Sequence, residues 1–252
     1  MGTIIQYLPY AIVALVGGTA LITFYLSYIV YEHVTYLLPY ISDTGTFPPE
    51  SCIFGQSLNI ASILIFFAMY LKYLQVQEIF HKHHIEDKYN VNRIACFFGY
   101  VAGSGMNLVA NFQETSIFVF HWVAAIMTFG GATVYMDLQS YLYIKISPVI
   151  GQRKTTMVRI IIAVIGVVSF IVCVTCAFIA YGQYEGEHVT KWKAEDGGYR
   201  AHQISTHAEW LCATCTMVFI SLLRKEFKGI VVRPLTIIFD EHKHADNSVN
   251  NL

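Results

Sequence analysis

The chain has 252 residues, of which 55% are hydrophobic and 13% carry a charge. This composition is too apolar for an ordinary soluble domain and indicates a protein embedded in a lipid bilayer. The formal net charge is −1, and no run of Lys and Arg is long enough to follow a phosphate backbone. A nucleic-acid partner is therefore excluded.

Six long apolar runs follow each other along the chain and predict six transmembrane helices. They span residues 9–31, 51–71, 94–111, 117–144, 158–181 and 203–223. Each approaches the roughly 20 residues needed to cross a ~30 Å hydrocarbon core, and none alternates as a barrel strand does. We therefore expect an all-α polytopic membrane protein whose residues 1–223 form one bundle, followed by a flexible cytosolic tail over residues 224–252.

The basic residues are distributed unevenly between the two sides of this bundle. Thirteen of the sixteen Lys and Arg residues fall near the second loop, the fourth loop and the tail. They are Lys72, Lys82, Lys88, Arg93, Lys145, Arg153, Lys154, Arg159, Arg224, Lys225, Lys228, Arg233 and Lys243. Because cytosolic loops are enriched in Lys and Arg, we expect both termini in the cytosol and the first loop in the lumen or outside.

The first loop contains Asp-Thr-Gly, residues 43–45, which is also the active-site tripeptide of aspartic proteases. Such proteases need two carboxyl groups that share one proton. Asp137 is the only Asp in the predicted helices, and at 1.5 Å per residue it lies roughly 30 Å from the face that carries Asp43. The sequence therefore predicts that Asp43 and Asp137 form no acid pair and that the protein is not an aspartic protease, and we expect Asp43 to lie as a lid above Glu209 and the histidines.

The same loop fits a turn that begins the second helix. We expect the side chains of Ser42 and Asp43 to cap the turn by hydrogen bonds to the backbone, and Gly45 to supply a positive φ. Pro48, Pro49 and Glu50 then form the N-terminal end of the helix, where proline and acidic residues are favoured.

Three stretches carry a resemblance to a known family: "LPYISDTGTFPPESCIFGQSLNI" (residues 38–60), "LVANFQET" (108–115) followed by His121, and "EDGGYRAHQISTHAEW" (195–210). In order and spacing they resemble the damage-regulated autophagy modulator (DRAM) family, within the wider Frag/DRAM/Sfk superfamily of multi-pass membrane proteins. The signature positions in the first stretch are Ser42, Asp43, Thr44, Gly45, Pro49 and Glu50.

The resemblance implies a non-enzymatic protein of the lysosomal or late endosomal membrane that modulates autophagy, with a link to apoptosis. The Golgi and the plasma membrane are alternative locations, since the tail lacks an acidic-dileucine or tyrosine sorting signal. The implied partners are membrane lipids and proteins of the autophagy or endolysosomal machinery. No cofactor and no metal is expected.

Polar side chains collect near the predicted lumenal ends of the helices. His202 and Glu209 lie seven residues apart on one face of the sixth helix. An unpaired charge at the depth of Glu209 costs a few kcal/mol on insertion scales, so we expect it to face other helices or a cavity. The candidate cluster or pocket consists of Gln56, Asn59, Asn107, Asn111, Gln113, His121, His202 and Glu209.

Three interpretations of this cluster stay open. The first is a hydrogen-bonded polar core, and the second is a lumen-open pocket for a lipid headgroup or small polar ligand. The third is an intramembrane zinc hydrolase using His121, His202, His207 and Glu209. His202 and His207 are about 140° apart around the helix, which disfavours the third. The leading prediction is the non-enzymatic autophagy modulator. The alternative is a lipid-binding, lipid-transfer or lipid-modifying protein with a polar pocket in the lumenal leaflet.

Overall fold

A computed structural model of the protein describes residues 2–34, 38–150 and 153–232. Its helices are α1 (Gly2–Ile5), α2 (Leu8–Phe24), α3 (Glu50–Lys82), α4 (Val91–Asn111), α5 (Phe118–Ile150), α6 (Arg153–Gly182), α7 (Tyr199–Ser221) and α8 (Arg224–Phe227). Helix α2 continues in wider π-helical turns over Tyr25–Val30. The described part contains no strand. Helices α2 to α7 are long and apolar enough to cross a membrane, which confirms the all-α, six-helix prediction.

Several helices are longer than the apolar runs that predicted them. Helix α3 reaches Lys82 rather than residue 71, and α6 begins at Arg153 rather than residue 158. Beyond residue 71 the α3 sequence is rich in Leu, Gln, Glu and Lys, which favour helix in water as well as in lipid. Val76 and Phe80 are buried in this extension. The helices therefore continue past the point at which the sequence stops being apolar.

The loops and the short terminal helices gather at two ends of the bundle. We call the end that carries residues 38–49, 112–117 and 183–198 the Asp43 end. The opposite end carries α1, residues 83–90 and α8, and we call it the Lys72 end. Both described termini lie at the Lys72 end, where the Arg224 guanidinium packs over the rings of Tyr7 and Tyr10.

The main apolar core lies between α2, α3, α5 and α7 and includes Ile12, Met69, Met136 and Phe219. Helix α4 packs closely against α5 because Gly105 has no side chain. A β-carbon at residue 105 would lie only 2.5 Å from the Thr128 backbone nitrogen and 2.7 Å from the Ala124 carbonyl oxygen. Small residues permit this kind of close approach between membrane helices.

A buried charge cluster joins α3, α6 and α8 at the Lys72 end. Lys72 of α3 and Arg159 of α6 both pair with the carboxylate of Glu226 in α8, and all three side chains are buried. The Lys72 ammonium also donates to the Tyr143 hydroxyl at 2.7 Å, and the Arg159 guanidinium lies 4.0 Å from the centre of that ring. The first residues of the predicted tail are thus packed on the bundle. A flexible tail stays a prediction for residues 233–252, which lie outside the described ranges.

Candidate functional site

The signature loop forms a buried turn at the Asp43 end. Asp43, Thr44 and Gly45 make one turn of 3₁₀-helix, and all three are buried. The Thr44 hydroxyl donates to the Ile41 carbonyl oxygen at 2.7 Å and lies 2.7 Å from the Thr23 hydroxyl. The predicted side-chain cap from Ser42 is wrong, because Ser42 makes no capping hydrogen bond. Threonine hydroxyl groups stabilise the turn instead.

Two further features of this loop concern Gly45 and Glu50. The positive φ predicted for Gly45 is wrong, since the residues with positive φ in the described ranges do not include it. Glycine is needed because the Phe54 ring occupies the space that a β-carbon would take. Helix α3 begins at Glu50, directly after the two prolines, as predicted. Glu50 is buried and lies 2.7 Å from Nδ1 of His33.

Three carboxyl groups from different parts of the chain meet above the bundle core, and we call them the carboxyl cluster. They belong to Asp43 in the signature turn, Glu114 between α4 and α5, and Glu209 in α7. Their residues are 2%, 4% and 6% exposed, so each acid is removed from bulk water. Burial and the adjacent carboxyl groups of Glu114 and Glu209 raise the pKa of Asp43 well above its usual value.

Each member of the carboxyl cluster has a defined position. Glu209 Oε2 accepts a hydrogen bond from the Ile41 backbone N–H at 2.7 Å. The Tyr181 hydroxyl donates to Glu114 Oε1. Asp43 Oδ2 has no hydrogen-bond partner within the described ranges. Asp43 thus lies beside Glu209, as expected, and also beside Glu114, a neighbour that the sequence did not predict.

Aromatic side chains enclose the carboxyl cluster on the α6 and α7 side. The Tyr40 hydroxyl donates to Ser205 Oγ at 2.8 Å, and Ser205 Oγ donates to the Cys173 carbonyl oxygen at 2.7 Å. Burial raises the pKa of Tyr40, so its hydroxyl keeps its proton. The His202 ring lies between Tyr40 and Trp192, with centroid separations of 5.0 and 4.1 Å. This network ties the first loop to α6 and α7.

The structure separates the predicted polar cluster into two groups. Asn59, Asn107 and Asn111 bond to one another between α3 and α4: the Asn107 and Asn111 amides each donate to Asn59 Oδ1 at 2.8 Å. Glu209 and His202 belong to the carboxyl cluster and its aromatic enclosure. The asparagines and the acids thus have different hydrogen-bond partners.

The remaining predicted residues lie around these two groups. His121 is buried, with Nδ1 2.6 Å from the Phe112 carbonyl oxygen, and it lines a cavity together with Glu114. Gln56 is exposed, Gln113 is half-buried, and His207 is exposed with Nδ1 2.7 Å from the Gln203 carbonyl oxygen. His207 therefore faces away from His202 and Glu209. Within residues 2–34, 38–150 and 153–232, no three His, Cys, Asp or Glu side chains are placed to hold a metal ion.

Two cavities meet at Glu209. The larger has a volume of about 130 Å³ and runs between the helices, with Ile41 and Glu209 among its lining residues at one end and Tyr135 and Ile220 at the other. The smaller has a volume of about 70 Å³ and is lined by Glu114, His121 and Glu209, among others. Ser42, Ala125, Phe129 and Glu209 line both cavities. A carboxyl group therefore lies at the junction of the two cavities.

The larger cavity, which we call the slot, is long and narrow. From Glu209 to Ile220 it follows α7 for about 16 Å, which is close to half the thickness of a ~30 Å hydrocarbon core. Its lining is almost entirely aliphatic and aromatic, including Val16, Leu58, Met106 and Ala213. An apolar ligand in the slot would bury this lining, which is favourable for apolar surface.

Together the fold and the site define a class: a polytopic α-helical membrane protein with a buried carboxyl cluster and an internal apolar cavity. Residues 5–230 match the family described as Frag1/DRAM/Sfk1/Cwh43P N-terminal domain. The chain belongs to the DRAM family within this group, which confirms the resemblance drawn from the three sequence stretches. No solved structure matches the chain.

Similar proteins cover most of the chain. DNA damage-regulated autophagy modulator protein 2 of Mus musculus is 34% identical over 91% of this chain and 86% of its own length. DNA damage-regulated autophagy modulator protein 1 of Homo sapiens is 30% identical over 92% of this chain and 94% of its own length. The modulator of macroautophagy TMEM150B of Danio rerio is 24% identical over 85% of this chain and 82% of its own length.

Proposed function

We propose that the protein modulates autophagy as a non-enzymatic multi-pass protein of the lysosomal or late endosomal membrane, where it organises lipids or protein partners. The observation that carries this proposal is its family membership, since relatives that cover nearly the whole chain are named as autophagy modulators. The excess of Lys and Arg at the Lys72 end supports a cytosolic location for that end. The Asp43 end then faces the lumen.

The hydrogen bonds at the Asp43 end support a non-enzymatic role. A serine nucleophile needs a base that accepts its proton, but Ser205 donates its proton to the Cys173 carbonyl oxygen. An acid pair that cleaves peptides needs access to water and substrate, whereas Asp43 and Glu114 are both buried. The hydrogen bonds and ring contacts among Tyr40, Ser205 and His202 join chain segments to one another.

Autophagic flux in cells that lack the protein tests this proposal. Degradation of a long-lived autophagy substrate is compared with and without an inhibitor of lysosomal acidification. We expect flux to fall when the protein is absent and to recover when the wild type or Ser205→Ala is expressed. Unchanged flux contradicts the proposed role, and failure of Ser205→Ala at wild-type abundance and Tm contradicts its non-enzymatic nature.

Location and orientation are tested in intact lysosomes. We expect a tagged protein to sediment with lysosomal membranes, and a C-terminal tag to be cleaved by added protease while an epitope in residues 183–198 stays protected. Sedimentation with Golgi or plasma membrane contradicts the location. Protection of the C-terminal tag contradicts the orientation.

A second candidate function is lipid binding, transfer or modification in the lumenal leaflet. The slot favours it, because an internal space with a mainly apolar lining suits an aliphatic chain. Mass spectrometry of lipids extracted from the purified protein tests this function. We expect one lipid class to be enriched over the surrounding membrane extract, and a lipid profile identical to the extract contradicts it.

A further inference from the structure

We infer that the slot and the carboxyl cluster together bind a single-chain lipid whose headgroup is a primary amine, the chemical class of the sphingoid bases. The inference rests on the lipid-binding function proposed above and names its ligand. The amine occupies the junction beside Glu209, and the aliphatic chain extends along the slot toward Ile220.

The charge of the site selects a cation. Glu209 lines both cavities and Glu114 lines the smaller one, whereas neither cavity has a Lys or Arg among its lining residues. A phosphate headgroup would therefore lack a basic partner. An ammonium group gains from the two acids, because a buried charge is stabilised chiefly by an opposite charge with which it hydrogen-bonds.

Glu209 is the acid placed to receive the ammonium. Its Oε2 accepts a hydrogen bond from the Ile41 backbone N–H at 2.7 Å. The residue is 6% exposed and lines both cavities. An ammonium at the junction contacts this carboxyl group and approaches Glu114 through the smaller cavity.

Aromatic rings complete the binding site for a cation. The smaller cavity is lined by Tyr40, Trp122, Phe129, Phe170 and Tyr181. The faces of such rings attract an ammonium group within about 6 Å of their centres. Rings and acids together form the usual surroundings of a desolvated amine.

The shape of the slot favours a lipid with a single aliphatic chain. A volume of about 130 Å³ spread over about 16 Å describes a narrow passage that admits a single aliphatic chain and excludes a lipid with two. Its length corresponds to a chain that crosses one leaflet. An apolar cavity of similar size, about 150 Å³, stays dry and accepts apolar ligands in soluble proteins.

Retention of defined lipids by purified protein in detergent tests the inference. The probes are sphingosine, its neutral N-acetyl derivative and stearate, each detected by native mass spectrometry. We expect one sphingosine per protein, with at least tenfold weaker retention of the other two. Glu209→Gln is expected to lower sphingosine retention about tenfold, whereas Glu50→Gln, which removes a buried acid outside both cavities, leaves it unchanged.

A second pair of variants tests whether the aliphatic chain of the lipid lies in the slot. Ala213→Phe fills the slot and is expected to abolish sphingosine retention, while Val218→Phe on the exposed face of α7 retains it. If Glu209→Gln does not fold, Glu114→Gln provides the same comparison.

The outcomes separate this inference from the function on which it rests. Equal retention of sphingosine and its N-acetyl derivative, or preference for stearate, overturns the amine specificity and leaves lipid binding standing. Retention of no probe by the wild type overturns both. Unchanged sphingosine retention in both acid variants overturns the role assigned to the carboxyl cluster.

Discussion

Removing Glu226 provides the sharpest test of how the Lys72 end is held together. Its carboxylate is the anion that pairs with both Lys72 and Arg159, and it brings α8 against α3 and α6. Lys72 is 1% exposed and Arg159 is 0% exposed. In Glu226→Ala both cations lose their counter-ion while they remain away from water.

The expected loss follows from the cost of an unpaired buried charge. Breaking a buried ion pair by removing one partner costs about 3–5 kcal/mol. For a chain of this size each kcal/mol shifts Tm by about 2–4 °C. Glu226→Ala is therefore expected to lower Tm by roughly 6–20 °C. The Tyr143 ring remains beside both cations and provides only a weak replacement for the carboxylate.

Thermal unfolding in detergent measures this loss, with Glu187→Ala as the control for removing an exposed acid. A triple variant with Met at positions 72, 159 and 226 is expected to recover most of the stability, because apolar side chains of similar volume often replace buried ions without loss. A Tm within about 2 °C of wild type for Glu226→Ala would show that the Glu226 carboxylate does not hold the Lys72 end together. A triple variant that is less stable than the single one would contradict the expected recovery.

Three other predictions concern separate parts of the bundle. The raised pKa of Asp43 means that the folded state binds its proton more tightly than the unfolded state does. Tm is therefore expected to rise as pH falls through that pKa and to fall as pH rises through it. Asp43→Asn should flatten this dependence, although Glu114 and Glu209 also face the site. Gly105→Ala should cost about 1–3 kcal/mol by pushing α4 from α5, whereas Gly18→Ala, in open space, should cost little. Asn59→Leu should cost about 1–2 kcal/mol by removing the amide bonds between α3 and α4.

Each of these has an outcome that contradicts it. An Asp43→Asn variant with the pH dependence of wild type would show that another group titrates. Equal Tm values for Gly105→Ala and Gly18→Ala would mean that α4 and α5 are not in close contact. An Asn59→Leu variant as stable as wild type would mean that the asparagine bonds contribute nothing to the stability of the bundle. Thermal unfolding of purified protein serves all three comparisons.

The number of membrane helices and the start of α3 could be predicted because they depend on local properties of the sequence. Apolar runs of membrane length have few alternatives to helix in lipid, and the two prolines before Glu50 define a helix start. The burial of Glu209 followed from its position within an apolar run. These features require no knowledge of which helices are neighbours.

The composition of the carboxyl cluster could not be predicted in the same way. Glu114 lies in a short loop between α4 and α5, and its proximity to Asp43 depends on how three loops pack together. Lys72 and Arg159 contributed to the count of cytosolic basic residues, whereas the structure buries both against Glu226. The glycine at position 45 is explained by the Phe54 ring, a contact across nine residues of chain. Each of these depends on tertiary contacts that residue type and spacing do not determine.

The central claim is that a lipid chain lies inside the bundle beneath the carboxyl cluster. A cryo-electron microscopy map of the protein in lipid nanodiscs, with a bound antibody fragment as a marker, tests it most directly. We expect one continuous elongated density along α7 from Ile220 to Glu209, ending beside the Glu209 carboxyl group. A slot that is empty, or closed by side chains from the surrounding helices, would contradict it.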